Sequence, residues 1–193
     1  MHEQLINYIR NYSTTPLTEN EIALIKEVYV PKKLRKKQYF LQEGQVCKYV
    51  GFIVSGATRQ YTVDSKGVEH ISRLCIENWW TGDRESFTML TPSIYNIDAW
   101  EETSMLTITK ADFNRLESIP TVNEWMRRLD DNHAFALQKR VNASLGLSAE
   151  ERYADLVNTY PEFLQRFPQH MIASYLGITK ETLSRVRQKA LKK

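Results

Sequence analysis

Lys180, Glu181, Ser184 and Arg185 recur at helical spacing just after Gly177-Ile178-Thr179, so they share one face of a short helix. Such a face suits a DNA major groove. Arg185 can pair bidentately with a guanine edge and Glu181 can accept from a cytosine amino group, while Lys180, Arg187 and Lys189 can neutralise phosphates. Thr179 and Thr182 stand where a helix N-terminus favours phosphate, and Gln169 and His170 open the preceding helix. The candidate DNA-binding set is therefore Gln169, His170, Thr179, Lys180, Glu181, Thr182, Ser184, Arg185, Arg187 and Lys189.

Two helices joined by a tight turn must hold that face. Pro168 starts the first, Ile172, Ala173 and Leu176 form its inner stripe, and Gly177 takes the left-handed conformation that ends it. Thr179 caps the second, and Leu183, Val186 and Ala190 are expected to point inward. Charge agrees. Residues 164–193 hold seven Lys/Arg against one acid, Glu181, whereas the rest of the chain carries a small excess of acids.

Ahead of this head, residues 121–145 contain no Gly or Pro, and Val122, Met126, Leu129, His133, Leu137 and Val141 recur every three or four positions. Such a stripe is expected to form a dimer seam, with packing against the chain's own barrel as the alternative. A hinge is expected at 146–148, where Gly146 ends the long helix and the capping box Ser148 to Glu151 opens the next. Residues 38–109 read as short strands: 49–54, 58–63 and 68–76, with the turn Asp64-Ser65-Lys66-Gly67 between the last two, then 95–99 and 105–109. The run Lys32-Lys33-Leu34-Arg35-Lys36-Lys37 reads as a solvated strand edge rather than a binding patch. Two helices precede it, one through Leu5, Ile6 and Ile9 and one opened by the capping box Thr18 to Glu21.

Enzyme chemistry is not expected, because no nucleophile elbow, P-loop, zinc-protease or paired-carboxylate arrangement occurs. Cys47 and Cys75 are too few for a disulfide framework or an iron–sulfur cluster with four ligands, and a lone His70 or His133 is a poor case for haem. No run of apolar residues is long enough to span a bilayer and the N-terminus lacks a signal-peptide layout, so a cytoplasmic protein without a membrane partner is expected.

Taken together, Ile172-Ala-Ser-Tyr-Leu-Gly-Ile-Thr-Lys-Glu-Thr-Leu-Ser-Arg185, Phe52-Ile-Val-Ser-Gly56 and Glu43-Gly44 resemble signatures of the Crp/Fnr transcription regulators. The resemblance implies an α+β fold. It consists of an N-terminal antiparallel β-barrel or jelly-roll sensor domain (1–118), a connecting and dimerising helix (119–147) and an all-α helix-turn-helix domain (148–193). The implied partners are double-stranded DNA, a second copy of the chain and RNA polymerase, and no cofactor is required.

Ligand-binding members hold a cyclic phosphate with Gly-Glu and, ten residues on, an arginine. Here Gly82-Asp83 is followed by Ser93-Ile94-Tyr95, so the candidate pocket of Gly82, Asp83, Arg84, Ser93 and Tyr95 lacks that cation unless Arg59, Arg73 or Arg84 replaces it. Without it a buried phosphate stays unpaired, and tight cyclic-nucleotide binding is not expected. The sequence names no other effector. The competing functions are a small-ligand sensor that acts through protein contacts with a vestigial helix-turn-helix, and an enzyme whose site lies in the barrel.

Overall fold

The computed structural model describes residues 1–190, so Lys192 and Lys193 of the basic end lie outside the described residues. The chain packs as two units, one of residues 1–62 and 72–131 and the other of 63–71 with 132–190.

In the first unit, α1 (His2–Tyr12) buries Leu5, Ile6 and Ile9 completely. The reciprocal capping box of Thr18 and Glu21 opens α2 (Glu19–Val28), which buries Ile25 and Val28. Eight strands follow: β1 (Val30–Leu34), β2 (Tyr39–Leu41), β3 (Tyr49–Ser55), β4 (Thr58–Val63), β5 (Glu69–Cys75), β6 (Trp80–Thr81), β7 (Asn96–Ala99) and β8 (Thr103–Thr109). They form two four-stranded sheets, ordered β1-β8-β3-β6 and β2-β7-β4-β5. The result is a sandwich in jelly-roll style rather than a closed barrel. Leu34 and Met105 of one sheet meet Ala99 of the other, and Thr58 donates across to Thr81 at 3.0 Å.

Gly56 closes the Phe52–Gly56 motif for a steric reason. Its φ is +94°, and a Cβ there would come within 2.7 Å of the Thr103 Cα. Only Lys32 and Lys33 of the lysine run fall on the expected edge, since β1 ends at Leu34 and pairs only with β8 among the described residues. Strands β2 and β6, three and two residues long, are too short for a period-two pattern to reveal.

Short helices α3 (Arg84–Met89) and α4 (Lys110–Leu116) flank the last strands, and Thr109 caps α4 by accepting from Asp112 N at 3.1 Å. The long helix α5 (Pro120–Gly146) runs from one unit into the other. Its first turns bury Val122 and Trp125 in the cluster formed by Phe52, Trp80 and the N-terminal helices, each large side chain contributing about 2–3 kcal/mol. Glu124 fastens the 13–15 segment by accepting from Ser13 Oγ at 2.7 Å and Thr14 N at 3.0 Å.

The second unit contains the 64–67 turn and four helices: α6 (Ala149–Thr159), α7 (Phe163–Arg166), α8 (Gln169–Leu176) and α9 (Lys180–Ala190). Asp64 shapes the turn by accepting from Lys66 N and Val68 N, with Gly67 at φ +79°. Ser174 of α8 accepts from Ile71 N at 2.9 Å. The core of this unit is Tyr153, Leu156, Phe163, Phe167, Met171, Ile172, Leu183 and Val186.

Candidate nucleic-acid interface

Two local devices set the turn between α8 and α9. Gly177 sits at φ +66°, its N–H donates to Ser174 O, and the N–H of Ile178 donates to Ala173 O, which satisfies the last carbonyls of α8. Thr179 then accepts from Thr182 N at 3.2 Å, capping α9. A third group was not legible in the sequence. Arg152 of α6 donates from Nη1 to Leu176 O at 2.9 Å, placing a guanidinium against the negative end of α8, while its buried Nε has no hydrogen-bond partner among the described residues.

With the turn fixed, α9 buries Leu183 and Val186 and leaves Lys180, Glu181, Ser184, Arg185 and Gln188 exposed. Ala190 is exposed too, contrary to the inward position expected for it. Thr179, Gln169 and His170 are exposed, whereas Thr182 and Arg187 are half-buried.

The electrostatics keep both charge signs available. The backbone N–H of Glu181 itself and the Thr179 hydroxyl hold its carboxyl below the usual range, so it remains an acceptor. Arg185 makes only a 3.3 Å bond from Nη2 to Thr182 Oγ1. Lys189 pairs with Glu150 of α6 at 3.0 Å in an exposed ion pair of small worth. No strand lies among residues 149–190.

Of the pocket candidates, Asp83, Ser93 and Tyr95 are brought together by hydrogen bonds. Asp83 caps α3, accepting from Glu85 N and Ser86 N with one oxygen and from Ser93 Oγ at 2.7 Å with the other. Ser93 in turn accepts from Tyr95 N at 3.0 Å. These bonds knit Asp83 and Ser93 to each other. Gly82 turns beneath Val50 at φ +139°. Arg84 forms a two-pronged pair with Asp130 at 2.5 and 2.6 Å, Arg59 does the same with Asp98 at 2.9 Å, and Arg73 donates to Trp80 O. Two clefts, of about 770 and 480 Å³, are lined by none of the five pocket candidates. Cys47 and Cys75 are buried, burial pushes both thiols up, and His70 pairs with Asp64 at 2.9 Å. Among the described residues no group of three or more His, Cys, Asp or Glu side chains is placed to hold a metal ion.

The α5 stripe divides. Val122 is wholly buried in its own chain's core, and Met126 and Leu129 pack against that core, so Val122 is removed from the expected dimer seam. A helix stripe has the same period whichever surface it meets, which is why spacing could not make this distinction. His133 is half-buried, while Leu137 and Val141 are exposed together with Phe135 and Leu145.

Comparison with known proteins adds four findings. Residues 31–118 match the model of the cyclic nucleotide-binding domain. The chain is 26% identical to the regulatory protein HlyX of Actinobacillus pleuropneumoniae, over 88% of this chain and 75% of that protein. It is 27% identical to the fumarate and nitrate reduction regulatory protein of Salmonella typhi, over 88% of this chain and 72% of the relative. Among solved structures, FixK2 from Bradyrhizobium japonicum shares the fold with a TM-score of 0.70 at 23% identity, covering 86% of this chain and 85% of that one.

Proposed function

We propose that this chain is a transcription regulator of the Crp/Fnr type, that it binds DNA sequence-specifically as a homodimer and that it does not respond to cyclic AMP. The carrying observation is the exposed face of α9, on which Lys180, Glu181, Ser184 and Arg185 stand over a buried Leu183 and Val186. Arg185 reads a guanine, Glu181 a cytosine amino group, and Lys180, Arg187 and Lys189 meet phosphates, with Thr179 and Thr182 at the helix N-terminus. Gln169 and His170 approach the backbone from α8.

The dimer seam is the second half of α5, through Leu137, Val141 and Leu145, beyond the turns that the chain's own core absorbs. Two recognition helices then meet half-sites about 34 Å apart on a two-fold site. Against a cyclic phosphate at Asp83, Ser93 stands at the position expected of the clamp, Arg59 and Arg84 are held by carboxylates and Arg73 donates to Trp80 O. Any other effector acts by favouring one of two states differing at the 146–148 hinge. RNA polymerase is the downstream partner.

Selection from a random-sequence duplex pool tests the proposal. Recovery of a two-fold motif supports it, and binding that depends on salt but not on sequence refutes it.

A further inference from the structure

We propose that the basic strip of β1 and the turn after it is a docking surface for an acidic polypeptide segment that also carries apolar side chains. Lys32, Lys33, Arg35, Lys36 and Lys37 put five cations in six positions. None of them forms an ion pair with a carboxylate among the described residues, and Glu102 is the single acid lining the cleft of about 770 Å³ that Lys33, Arg35, Lys36 and Lys37 share. Several cations elsewhere in the first unit are paired with a carboxylate, as in Lys26 with Glu3, Arg84 with Asp130 and Arg115 with Glu27. An unneutralised array repels itself and favours an anionic partner.

The array is held in place. Gln38 N donates to Arg35 O, Arg35 N donates to Gln38 Oε1, and Lys37 N is pinned to Ala99 O at 2.6 Å with Lys37 at φ +66°. Lys32 Nζ lies 5.4 Å from the centres of both the Phe40 and the Tyr49 rings, and Lys36 Nζ 5.2 Å from the Trp100 ring. Protection of a sheet edge does not account for it. Pro31, which lacks an N–H, already blunts β1, and Arg35, Lys36 and Lys37 lie beyond the strand, where there is no edge to guard.

The neighbours select the class of partner. Val30 precedes Lys32 on β1 and the Tyr49 ring lies beside the Lys32 ammonium, and the two are 59 and 42% exposed. A duplex backbone would use the cations and leave these apolar surfaces wet, whereas a segment interspersing Asp and Glu with Leu or Phe covers both.

The test uses the full chain and fluorescence anisotropy with a labelled peptide that alternates acidic residues with Leu and Phe. A second peptide is all-acidic and uncoupled from apolar groups, and a duplex carrying the selected site is titrated in parallel. The expected result is that the mixed peptide binds more tightly than the all-acidic one, in a salt-sensitive manner. The Lys33→Glu, Lys36→Glu, Lys37→Glu variant should weaken it about tenfold or more, and the matching Gln variant less, with duplex affinity unchanged in both. Equal peptide binding by variant and parent, absence of peptide binding, or loss of duplex rather than peptide affinity overturns the inference. It goes beyond DNA reading, so a parent that ignores duplex sequence sinks the proposed function and leaves this surface standing.

Discussion

Arg185 and Lys189 carry the same charge in different settings, and their truncation should read out differently. Arg185 is exposed with a single weak tie to Thr182, leaving its guanidinium free to fork onto a base. Arg185→Ala should cost about 1–3 kcal/mol on the selected site and relax one base position, as read by anisotropy on single-substituted duplexes. Lys189→Ala should weaken all sequences alike and lower the salt slope by about one. Equal loss on every sequence for Arg185→Ala would remove its base-reading role. A second residue-scale prediction concerns acid. The Ser13 hydroxyl, then the Thr14 N–H and hydroxyl, hold the Glu124 carboxyl down to about 2 from an ordinary 4.5. Because the folded value is the lower one, its contribution to stability is full above the ordinary value and is lost as pH falls toward 2. Glu124→Gln should therefore flatten the fall in denaturant midpoint between those limits, and variant and parent should converge near pH 2. These roles differed in legibility. Arg185 could be placed from its distance to Gly177 and Thr179, but Glu124 and Arg152 act on groups more than twenty residues away, which no local pattern reports.

The α8–α9 pair was readable because each boundary is written in a residue with one conformational purpose, Gly177 for the left-handed stop and Thr179 for the cap. What holds the pair was not. Arg152 meets the last carbonyls of α8, and Arg152→Gln should speed hydrogen exchange at the Gly177 and Ile178 amides without changing α6, since its own capping box from Ser148 to Glu151 is independent. Unchanged exchange there would show that the turn needs no help from α6. The long helix carries the opposite lesson. Its helical character was legible from 121 to 145, yet the buried Trp125 went unnoticed beside Val122, and the stripe serves the chain's own core at one end while Leu137 and Val141 stay exposed at the other. Leu137→Glu with Val141→Glu should convert a dimer to monomers in sedimentation equilibrium while leaving the thermal midpoint of the β-sandwich unchanged, because neither side chain enters a buried cluster. A dimer that survives both changes would place the seam elsewhere.

Across the whole molecule, the uneven charge and the change from β-rich to helical sequence marked out the architecture, because each reflects composition over tens of residues. The state of the sensor domain was legible only as a missing arginine. The structure supplies what stands in its place: Ser93, a small neutral group whose hydroxyl donates to the buried Asp83 carboxylate at 2.7 Å and accepts from Tyr95 N. That arrangement makes Ser93 the partner of a buried carboxylate. Removing the hydroxyl strands one oxygen of a carboxylate that is 7% exposed, at a cost of about 1–3 kcal/mol. Ser93→Ala should therefore lower the unfolding midpoint in urea, and saturating cyclic AMP or cyclic GMP should raise the midpoint of neither parent nor variant, since a ligand that binds only the folded chain would stabilise it by mass action. A nucleotide-dependent rise in the parent that Ser93→Ala abolishes would reverse the assignment, making Ser93 a ligand contact and the sandwich a working cyclic-nucleotide sensor.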